Sequence, residues 1–452
     1  MTQQNDLDLL ADLVGRARAA GADAADAILT ESLSSGVSWR MGKPEDVERS
    51  ESRDVGLRVF VGQRQALTSS SDTSPAALAE LVERGIAMAR AVPEDRWCGL
   101  AEPELLGSAE EIARLTAELD LRDGAEPTTE ELIAMARAAE EAAFAVDGVT
   151  KSDGASAGFG SGRVALATST GFAGGYAGSH YHLAMSAIAG EGLGMERDSD
   201  YDAVRHLRNL DAAEQIGRTA GERAVARLKP RKVGSRKVPV VFDRRVAGSL
   251  LGHLAGAING QAVARGTSFL RNRMGQRIFA EGITVTDDPL RPRGLRSRPF
   301  DGEGVIGRSR DFISDGVLTS WVLDCGSARQ LGLKTTGHAS RSAGGPPGPG
   351  LTNLALNPGR RSVDELLAEM GEGLYVTELI GMGVNAVTGD YSRGAGGFWV
   401  ENGRKAYPVS EITVAGNLKD MFQTLTPADD LERKRGIDSP TVRIDGMTVA
   451  GT

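Results

Sequence analysis

Residues 238–259 read VPVVFDRRVAGSLLGHLAGAIN, and this stretch sets the architecture of the second half of the chain. Its first five residues, VPVVF, are a short apolar run typical of a buried strand. The residues that follow carry apolar side chains at Val246, Leu250, Leu254 and Ile258. Because this spacing is close to one helical turn, it favours a helix with one face in the core. The sequence therefore predicts a strand that leads directly into an amphipathic helix.

Four helices are predicted in the first 232 residues. The second begins at Ser74, with Pro75 at the first helical position, and the third begins with a capping box formed by Thr128 and Glu131. The predicted helices span residues 6–20, 74–86, 128–146 and 211–227.

Strand-like segments lie between these helices, which indicates an α+β fold rather than repeated βαβ units. Glycine, proline, serine or charged residues divide the segments, so antiparallel sheets with helices are expected, including a hairpin that turns near Gly62. The predicted strands of this half are 25–30, 37–41, 47–53, 56–61, 65–70, 148–156, 163–168 and 172–188.

A basic run, KPRKVGSRK at residues 229–237, divides the chain. We interpret it as a linker between an N-terminal α+β region, 1–232, and a C-terminal domain, 237–452. The N-terminal region is long enough for two subdomains, about 1–125 and 126–232. In the C-terminal domain, ENGR at 401–404 predicts a hairpin, GGPPGPG at 344–350 predicts a loop, and 442–450 predicts a closing strand.

Charge and composition exclude several classes of function. The 452 residues carry a formal net charge of −9, which argues against nucleic acid as the main partner, because phosphate binding needs a basic surface. No apolar run is long enough to span a membrane, and the N-terminus lacks the pattern of a signal peptide. Two widely separated cysteines, Cys98 and Cys325, do not indicate a disulfide framework. A reducing cytoplasm is the expected compartment.

Five blocks of the C-terminal half form a more specific pattern than any single glycine motif. They are SLLGHLAGAINGQAVARGTSFL (249–270), RPFDGEGV (298–305), SARQLGLKTTGHA (327–339), GVNAVTGDYSRGAGGFWVENG (383–403) and YPVSEITVAGNLKDM (407–421). Together they resemble the TldD/PmbA family of metallopeptidases, for which an older label is modulator of DNA gyrase, and within it the PmbA branch, also called TldE. The resemblance implies an α+β N-terminal region followed by a mixed, strongly curved, β-rich C-terminal domain.

The resemblance also implies that this chain has lost a metal site. In the catalytic branch the helix carries His-Glu-x-x-Gly-His, in which two histidines about one turn apart hold zinc and the glutamate acts on the bound water. Here Gly252 and Ala257 stand at the histidine positions, His253 stands at the glutamate position, and Gly256 is retained. A further cysteine ligand of that branch has no counterpart in RKRGIDSPT at 433–441. We therefore expect no metal and no catalytic residue in this motif.

The implied partner is a TldD-like, zinc-bearing subunit in a cytoplasmic heterodimer that cleaves unfolded or leader peptides. This chain is then a non-catalytic subunit that shapes the substrate. The residues of the glycine-rich segment TGDYSRGAGG (388–397) fit equally a loop that a peptide backbone can approach closely and a tight structural turn before a hairpin, and the resemblance favours a loop that faces a peptide or an interface. Asp390 and Arg393 are candidates to pair with each other or with a partner. The candidate substrate-binding or interface residues are His253, Gly389, Asp390, Tyr391, Arg393, Gly394 and Phe398.

Two other functions stay open. One is a protein-binding modulator without proteolysis, related to gyrase or to a toxin–antitoxin system. The other is an independent hydrolase in which Ser249 is the nucleophile and His253, one turn later, is the base. Because no acidic residue of the local sequence is placed to orient His253, a buried or cavity-lining histidine is the favoured interpretation.

Two further pairs of side chains have both a chemical and a structural interpretation. His180 and His182 alternate along a predicted strand and so share one face. No ligand nearby completes a metal site, which favours a solvated sheet face or an interface. Asp301 and Glu303 flank a glycine in a predicted turn, where carboxylates bond backbone N–H groups more often than they catalyse proton transfer.

Overall fold

The computed structural model of the chain describes residues 3–451. Its N-terminal half consists of long strands and the helices that cover them. In chain order these elements are α1 (Gln3–Ala19), β1 (Ala24–Arg40), β2 (Lys43–Val61), β3 (Arg64–Ser70), α2 (Pro75–Ala91), α3 (Ala109–Leu119), α4 (Thr129–Phe144), β4 (Val149–Thr168), β5 (Ala173–Ala189), β6 (Glu196–Val204) and α5 (Ala213–Ala226). Short 3-10 turns lie at Pro103–Leu105, Gly192–Gly194 and Leu207–Asn209.

The six strands of this half form one antiparallel sheet in the order β3-β2-β1-β4-β5-β6. Strand β1 pairs with β4 along most of its length, so the predicted subdomains, about 1–125 and 126–232, share a single sheet. Two separate cores lie on it. Helices α1 and α2 cover Ala27 and Leu29 near one end of β1, whereas α4 and α5 cover Val37 and Trp39 near the other end.

The C-terminal half is richer in short strands. Its elements are β7 (Arg236–Phe242), α6 (Arg244–Ala257), α7 (Gly260–Ala264), β8 (Val285–Asp287), β9 (Arg310–Ser314), β10 (Val317–Leu318), α8 (Cys325–Leu331), β11 (Ala339–Ser340), β12 (Gly348–Pro349), β13 (Leu354–Leu356), α9 (Val363–Met370), β14 (Gly373–Ile380), β15 (Asp390–Glu401), β16 (Arg404–Asn417), α10 (Leu418–Gln423), β17 (Leu425–Pro427), β18 (Ile437–Asp438) and β19 (Val442–Ala450).

The main C-terminal sheet closes on itself. Its strand order is β16-β15-β14-β7-β19-β17, and an additional pairing of β16 with β19 closes the first five of these strands into a small barrel, while β17 pairs with β19. Only the pair β14–β7 is parallel in this sheet. A second sheet, β10-β9-β8-β13-β18, packs its buried residues against the same core as α6. The predicted α+β fold, with a mixed and curved C-terminal domain, is confirmed.

Local signals in the sequence predicted most of the helix starts correctly. Ser74 and Thr128 are N-caps, the capping box of Thr128 with Glu131 is present, and the hairpins near Gly62 and Asn402 form. Helix α3 was not predicted, although Ser108 caps it by accepting from the N–H of Glu111. The loop predicted at 344–350 contains the two-residue strand β12, which pairs with β11.

Three predictions of strand boundaries were wrong. The segments 25–30 and 37–41 are one strand, β1, the segments 47–53 and 56–61 are one strand, β2, and the segments 148–156 and 163–168 are one strand, β4. The serines and glycines between the segments of β1 and β4 resemble turn residues, but they pair across the sheet, as Ser32 does with Gly162 and Gly36 with Gly158. The glycine-rich segment 388–397 is likewise not a loop throughout, because strand β15 begins at Asp390.

Candidate functional site

Helix α6 begins directly after strand β7, as the sequence predicted. Asp243, between the two elements, accepts hydrogen bonds from the N–H of Arg245 (2.9 Å) and from the hydroxyl of Tyr375 (2.8 Å). Leu250 and Leu254 on the opposite side of the helix are buried in the C-terminal core. Because the leucines lie in the core, the face of α6 that carries Gly252 and Gly256 is turned outward.

The residues at the expected ligand positions of α6 do not form a metal site. Gly252 is exposed, and no atom lies within 4 Å of the place a Cβ would occupy, as is also true of Gly256. Ala257, by contrast, is buried in the core. Neither a glycine nor an alanine side chain has a donor atom for a metal, so positions 252 and 257 supply no ligand. Within residues 3–451, no group of three or more His, Cys, Asp or Glu side chains is placed to hold a metal.

The segment 433–441, where the expected cysteine ligand has no counterpart, packs directly on α6. A Cβ on Gly248 would lie 3.0 Å from the carbonyl oxygen of Ile437. Arg435 donates a hydrogen bond to the carbonyl oxygen of Arg245 at 2.9 Å. Its guanidinium lies over the ring of Tyr201, so this segment ties α6 to the N-terminal sheet.

His253 is half-buried and lies against strand β15. Its ring meets the ring of Tyr391 edge to face, with centroids 5.9 Å apart. Burial, and secondarily the positive charge of Arg393, lower the pKa of His253, so the imidazole is neutral at pH 7. Its Nε2 is buried and has no hydrogen-bond partner within the described residues.

Ser249 is not arranged as a nucleophile. Its Oγ donates a hydrogen bond to the carbonyl oxygen of Val246 at 2.7 Å, a common arrangement within helices. A serine activated by a base would instead donate to that base. The geometry therefore gives no support to a hydrolase built on Ser249 and His253.

Side chains alternate between the two faces of strand β15, and this places Asp390 and Arg393, a candidate pair in the sequence, on opposite faces. Tyr391 and Arg393 point toward α6, whereas Asp390 and Ser392 are exposed on the opposite face. Asp390 accepts hydrogen bonds from Oγ1 of Thr388 (2.6 Å) and Nδ2 of Asn417 (3.0 Å). Asp390 and Arg393 therefore do not pair with each other, and pairing with a partner stays the other alternative.

Tyr391 is the most deeply buried of the candidate residues, with 1% of its surface exposed. Burial raises the pKa of its hydroxyl to about 12, although nearby Arg393 acts in the opposite direction. Arg393 lowers that pKa through its charge and through a side-chain contact with the hydroxyl, but the contact is poorly aligned, and neither the Tyr391 oxygen nor the Arg393 Nε has a hydrogen bond of normal geometry in the described part of the chain. We call His253, Tyr391 and Arg393 the α6–β15 cluster.

The remaining candidates of this segment have structural roles. Gly389 has a φ of +87°, which explains the glycine at the start of the strand. A Cβ on Gly394 would lie 3.3 Å from Cβ of Ile380, a tight contact rather than an opening for a ligand. Phe398 belongs to a separate apolar cluster that includes Leu367 of α9, and not to the core that contains Tyr391.

Strand β14 presents an unpaired edge near α6, which sequence reasoning did not identify. On its other edge β14 pairs with β15 as far as Ile380, its last residue. On the edge near α6, β7 pairs with Leu374, Tyr375 and Val376, and the pairing ends at Val376. Past that point, Thr377 to Leu379 line a cavity of about 380 Å³ together with Arg245 and Val246 of α6. Oγ1 of Thr377 is buried without a hydrogen-bond partner in the described part of the chain.

The two other pairs singled out in the sequence lie outside this site. His180 and His182 share one face of β5, and their rings lie over Gly160 and Gly158 of β4. Burial lowers the pKa of both imidazoles. This arrangement matches the expected sheet face.

Asp301 and Glu303 are both buried, and their contacts are structural. Asp301 accepts from the N–H groups of Glu303, Val305 and Ala339 at 2.8–3.0 Å, as expected for a turn. Glu303 accepts from the N–H of Cys325 at 2.8 Å. Burial raises the pKa of Glu303 to about 7, in spite of Arg58, whose nearest guanidinium nitrogen lies 3.9 Å away.

Most of the chain matches the three domains of one known protein family. Residues 25–89 match domain 1, residues 122–228 the central domain and residues 235–451 the C-terminal domain of the PmbA/TldA metallopeptidases. The chain is 40% identical to Metalloprotease PmbA of Escherichia coli O157:H7 over 431 residues. This match covers 95% of this chain and 92% of that protein. It is 35% identical to the Metalloprotease PmbA homolog of Haemophilus influenzae, over 96% of this chain and 93% of that one.

Solved structures agree with this assignment. A putative modulator of DNA gyrase from Bacteroides thetaiotaomicron superposes with a TM-score of 0.89 at 26% identity, and the match covers all of both chains. TldE from Thermococcus kodakarensis superposes with a TM-score of 0.84 at 21% identity, over 98% of this chain and 100% of that one, which supports the fold alone. The described residues contain no helix that is long and apolar enough to cross a membrane. With matches along most of its length, the chain belongs to the PmbA/TldD metallopeptidase family.

Proposed function

We propose that this chain is the non-catalytic subunit of a two-subunit zinc peptidase, in which it holds the peptide while a TldD-like partner supplies the zinc. The observation that carries the proposal is helix α6. The helix is complete and capped by Asp243, yet Gly252 and Ala257 offer no donor atom to a metal. A chain that keeps this scaffold without ligands is suited to binding and not to activation of water.

The unpaired edge of β14 supports a role in holding an extended peptide. A peptide that adds a strand to such an edge gains main-chain hydrogen bonds without regard to its side chains. The neighbouring segment exposes three large apolar side chains, Ile380, Met382 and Val387, that suit an unfolded substrate. Strand addition at Thr377 to Leu379 would bring the peptide alongside α6.

The proposed setting is a heterodimer in the cytoplasm, with unfolded or leader peptides as substrates and without nucleic acid. The net charge of −9 supports protein and peptide contacts over contacts with phosphate. Both cysteines, Cys98 and Cys325, are free in the structure, as expected for a reducing compartment.

Purification of the chain from its native cells, followed by metal analysis of each separated subunit, tests this proposal. We expect a homologue carrying His-Glu-x-x-Gly-His to co-purify, with zinc bound to that homologue and no stoichiometric zinc bound to this chain after mild dialysis. One zinc per copy of this chain, lost in His253→Ala, would contradict the proposal. Co-purification of gyrase subunits in place of a zinc-bearing homologue would favour the alternative of a modulator without proteolysis.

A further inference from the structure

The α6–β15 cluster contains three polar groups that form no hydrogen bond of normal geometry within residues 3–451, although Arg393 contacts the Tyr391 hydroxyl. They are Nε2 of His253, the hydroxyl of Tyr391 and Nε of Arg393, and each of these atoms is buried. Leaving a buried polar atom unpaired costs about 1–3 kcal/mol. Three such atoms on two adjacent elements, α6 and β15, indicate that a ligand completes them.

The charge of the cluster selects the kind of ligand. No carboxylate of residues 3–451 lies within ion-pair distance of Arg393, and Asp390 is turned to the other face of the strand. The high pKa of Tyr391 keeps its hydroxyl protonated, and the lowered pKa of His253 keeps the imidazole neutral. At neutral pH the cluster therefore combines one positive charge with two uncharged groups that can donate hydrogen bonds. The complementary ligand is an anion with acceptor oxygens.

Among anions with acceptor oxygens, the residues around the α6–β15 cluster favour the carboxylate group of a peptide. A single arginine matches one negative charge, and its planar guanidinium fits the two oxygens of a carboxylate. Gly252 and Gly256 leave the adjacent surface of α6 open, and the exposed side chains of Ile380 and Met382 offer apolar contacts next to strand β14. These features suit a chain that ends in, or carries, a carboxylate.

We propose that Arg393 and Tyr391, assisted by His253, form a carboxylate-binding site that anchors the peptide substrate on this chain. The inference rests on the proposed function, because it assumes that the chain holds a peptide. The carboxylate is either the C-terminus of the peptide or the side chain of an aspartate or glutamate. Both present the same chemistry to Arg393.

Binding of three labelled peptides to the purified full chain, measured by fluorescence anisotropy, tests the inference. The first peptide is unstructured, lacks Asp and Glu, and has a free C-terminus. The second is the same peptide with a C-terminal amide, and the third is the amide with one internal glutamate. We expect the amide to bind about tenfold or more weakly than a peptide with a carboxylate, as for loss of a charged hydrogen bond.

Variants identify the residues responsible. Arg393→Gln is expected to remove the preference for a carboxylate, and Arg393→Lys to keep part of it, because lysine retains the charge but not the planar fork. Tyr391→Phe keeps the buried ring and should reduce the preference several-fold. Arg404→Gln is the matched control, since Arg404 is exposed at the far end of the same hairpin. It should bind all three peptides as the parent does.

The outcomes separate this inference from the proposed function. Tight binding of the first peptide identifies a C-terminal carboxylate, and tight binding of only the third identifies a side-chain carboxylate. Equal affinity for all three peptides, no measurable binding of any, or a preference that persists in Arg393→Gln would overturn the inference. Weaker association of Arg393→Gln with the zinc-bearing subunit, without any effect on peptide affinity, would overturn it by assigning the cluster to that interface. None of these results changes which subunit holds the zinc, which the metal analysis decides separately.

Discussion

His253 on α6 and Tyr391 on β15 meet edge to face, with ring centroids 5.9 Å apart, and each carries a buried polar atom without a hydrogen bond of normal geometry in the described part of the chain. Aromatic contacts of this kind contribute about 0.5–1.5 kcal/mol, but unpaired buried polar atoms cost a comparable amount. A contribution to the stability of the fold therefore does not explain why polar atoms are buried at this contact. They mark the place where the chain is expected to meet its ligand.

Removal of the Tyr391 hydroxyl should leave the protein as stable as before. Within residues 3–451 this hydroxyl has only a poorly aligned contact with Arg393 to lose, so Tyr391→Phe should change the free energy of unfolding by less than about 0.5 kcal/mol or increase it. The matched control is Tyr181→Phe. Tyr181 is equally buried, but its hydroxyl donates to the carbonyl oxygen of Ala125 at 2.5 Å, so we expect a loss of about 1–2 kcal/mol. Equal losses in urea unfolding of the two variants would show that Tyr391 has an intramolecular partner.

Substitution of Ser249 and His253 should not abolish catalysis by the assembled complex. Ser249 donates to a helix carbonyl, and His253 faces Tyr391, so neither is placed to supply a transition-state interaction. Ser249→Ala and His253→Ala should keep peptidase turnover within about tenfold of the parent. A loss of several orders of magnitude in either variant, with circular dichroism and the melting temperature unchanged, would place the chemistry on this chain.

The glycines of α6 and β15 should respond to alanine in opposite ways. Gly252 lies on an open helical face, so Gly252→Ala should raise the free energy of unfolding by up to about 1 kcal/mol through helix propensity. A Cβ on Gly397 would lie 2.0 Å from the carbonyl oxygen of Tyr375 on β14. Gly397→Ala should therefore cost more than about 3 kcal/mol or prevent folding. Similar urea midpoints for the two variants would contradict this account of the barrel.

The requirement at Gly397 shows why the candidate site was only partly predictable. The sequence identifies TGDYSRGAGG as unusual, but the atom that excludes a side chain from Gly397 belongs to Tyr375, on another strand. The many glycines suggested a loop, whereas the alternating burial of Asp390 to Arg393 is that of a strand. The predicted loop conformation was therefore wrong from Asp390 onward, and the role of the segment in a site stays a prediction.

Elements of the fold were predictable where they depend on residues close together in the sequence. They were predicted wrongly where they depend on pairing between distant strands. Caps such as Thr128 with Glu131 gave the helix starts, because the residues involved are neighbours in the sequence. The continuity of β1 depends on β4, where Gly158 and Gly162 pair with Gly36 and Ser32. Strand pairing over such separations leaves no periodic signal within a single segment.

Glu303 should make stability depend on pH. Its pKa is about 7 in the folded chain because of burial, above the ordinary value of 4.5, so the folded state binds an extra proton between these values. This contribution to stability is present at low pH and is lost as the pH rises toward 7, by up to about 1.4 kcal/mol per pH unit. Glu303→Gln should flatten this slope in urea unfolding, whereas Glu104→Gln, at an exposed position, should not. A Glu303→Gln profile parallel to that of the parent would show that Glu303 titrates normally.

The most direct test of the central claim is a digest of unfolded peptides, read by mass spectrometry, with each subunit alone and then with both. Gly252 and Ala257 leave this chain without a ligand for zinc, so alone it should leave the peptides intact. Addition of the partner that carries His-Glu-x-x-Gly-His should produce cleavage that a chelator abolishes. Equal cleavage by the partner alone, or cleavage by this chain in the presence of the chelator, would contradict the account.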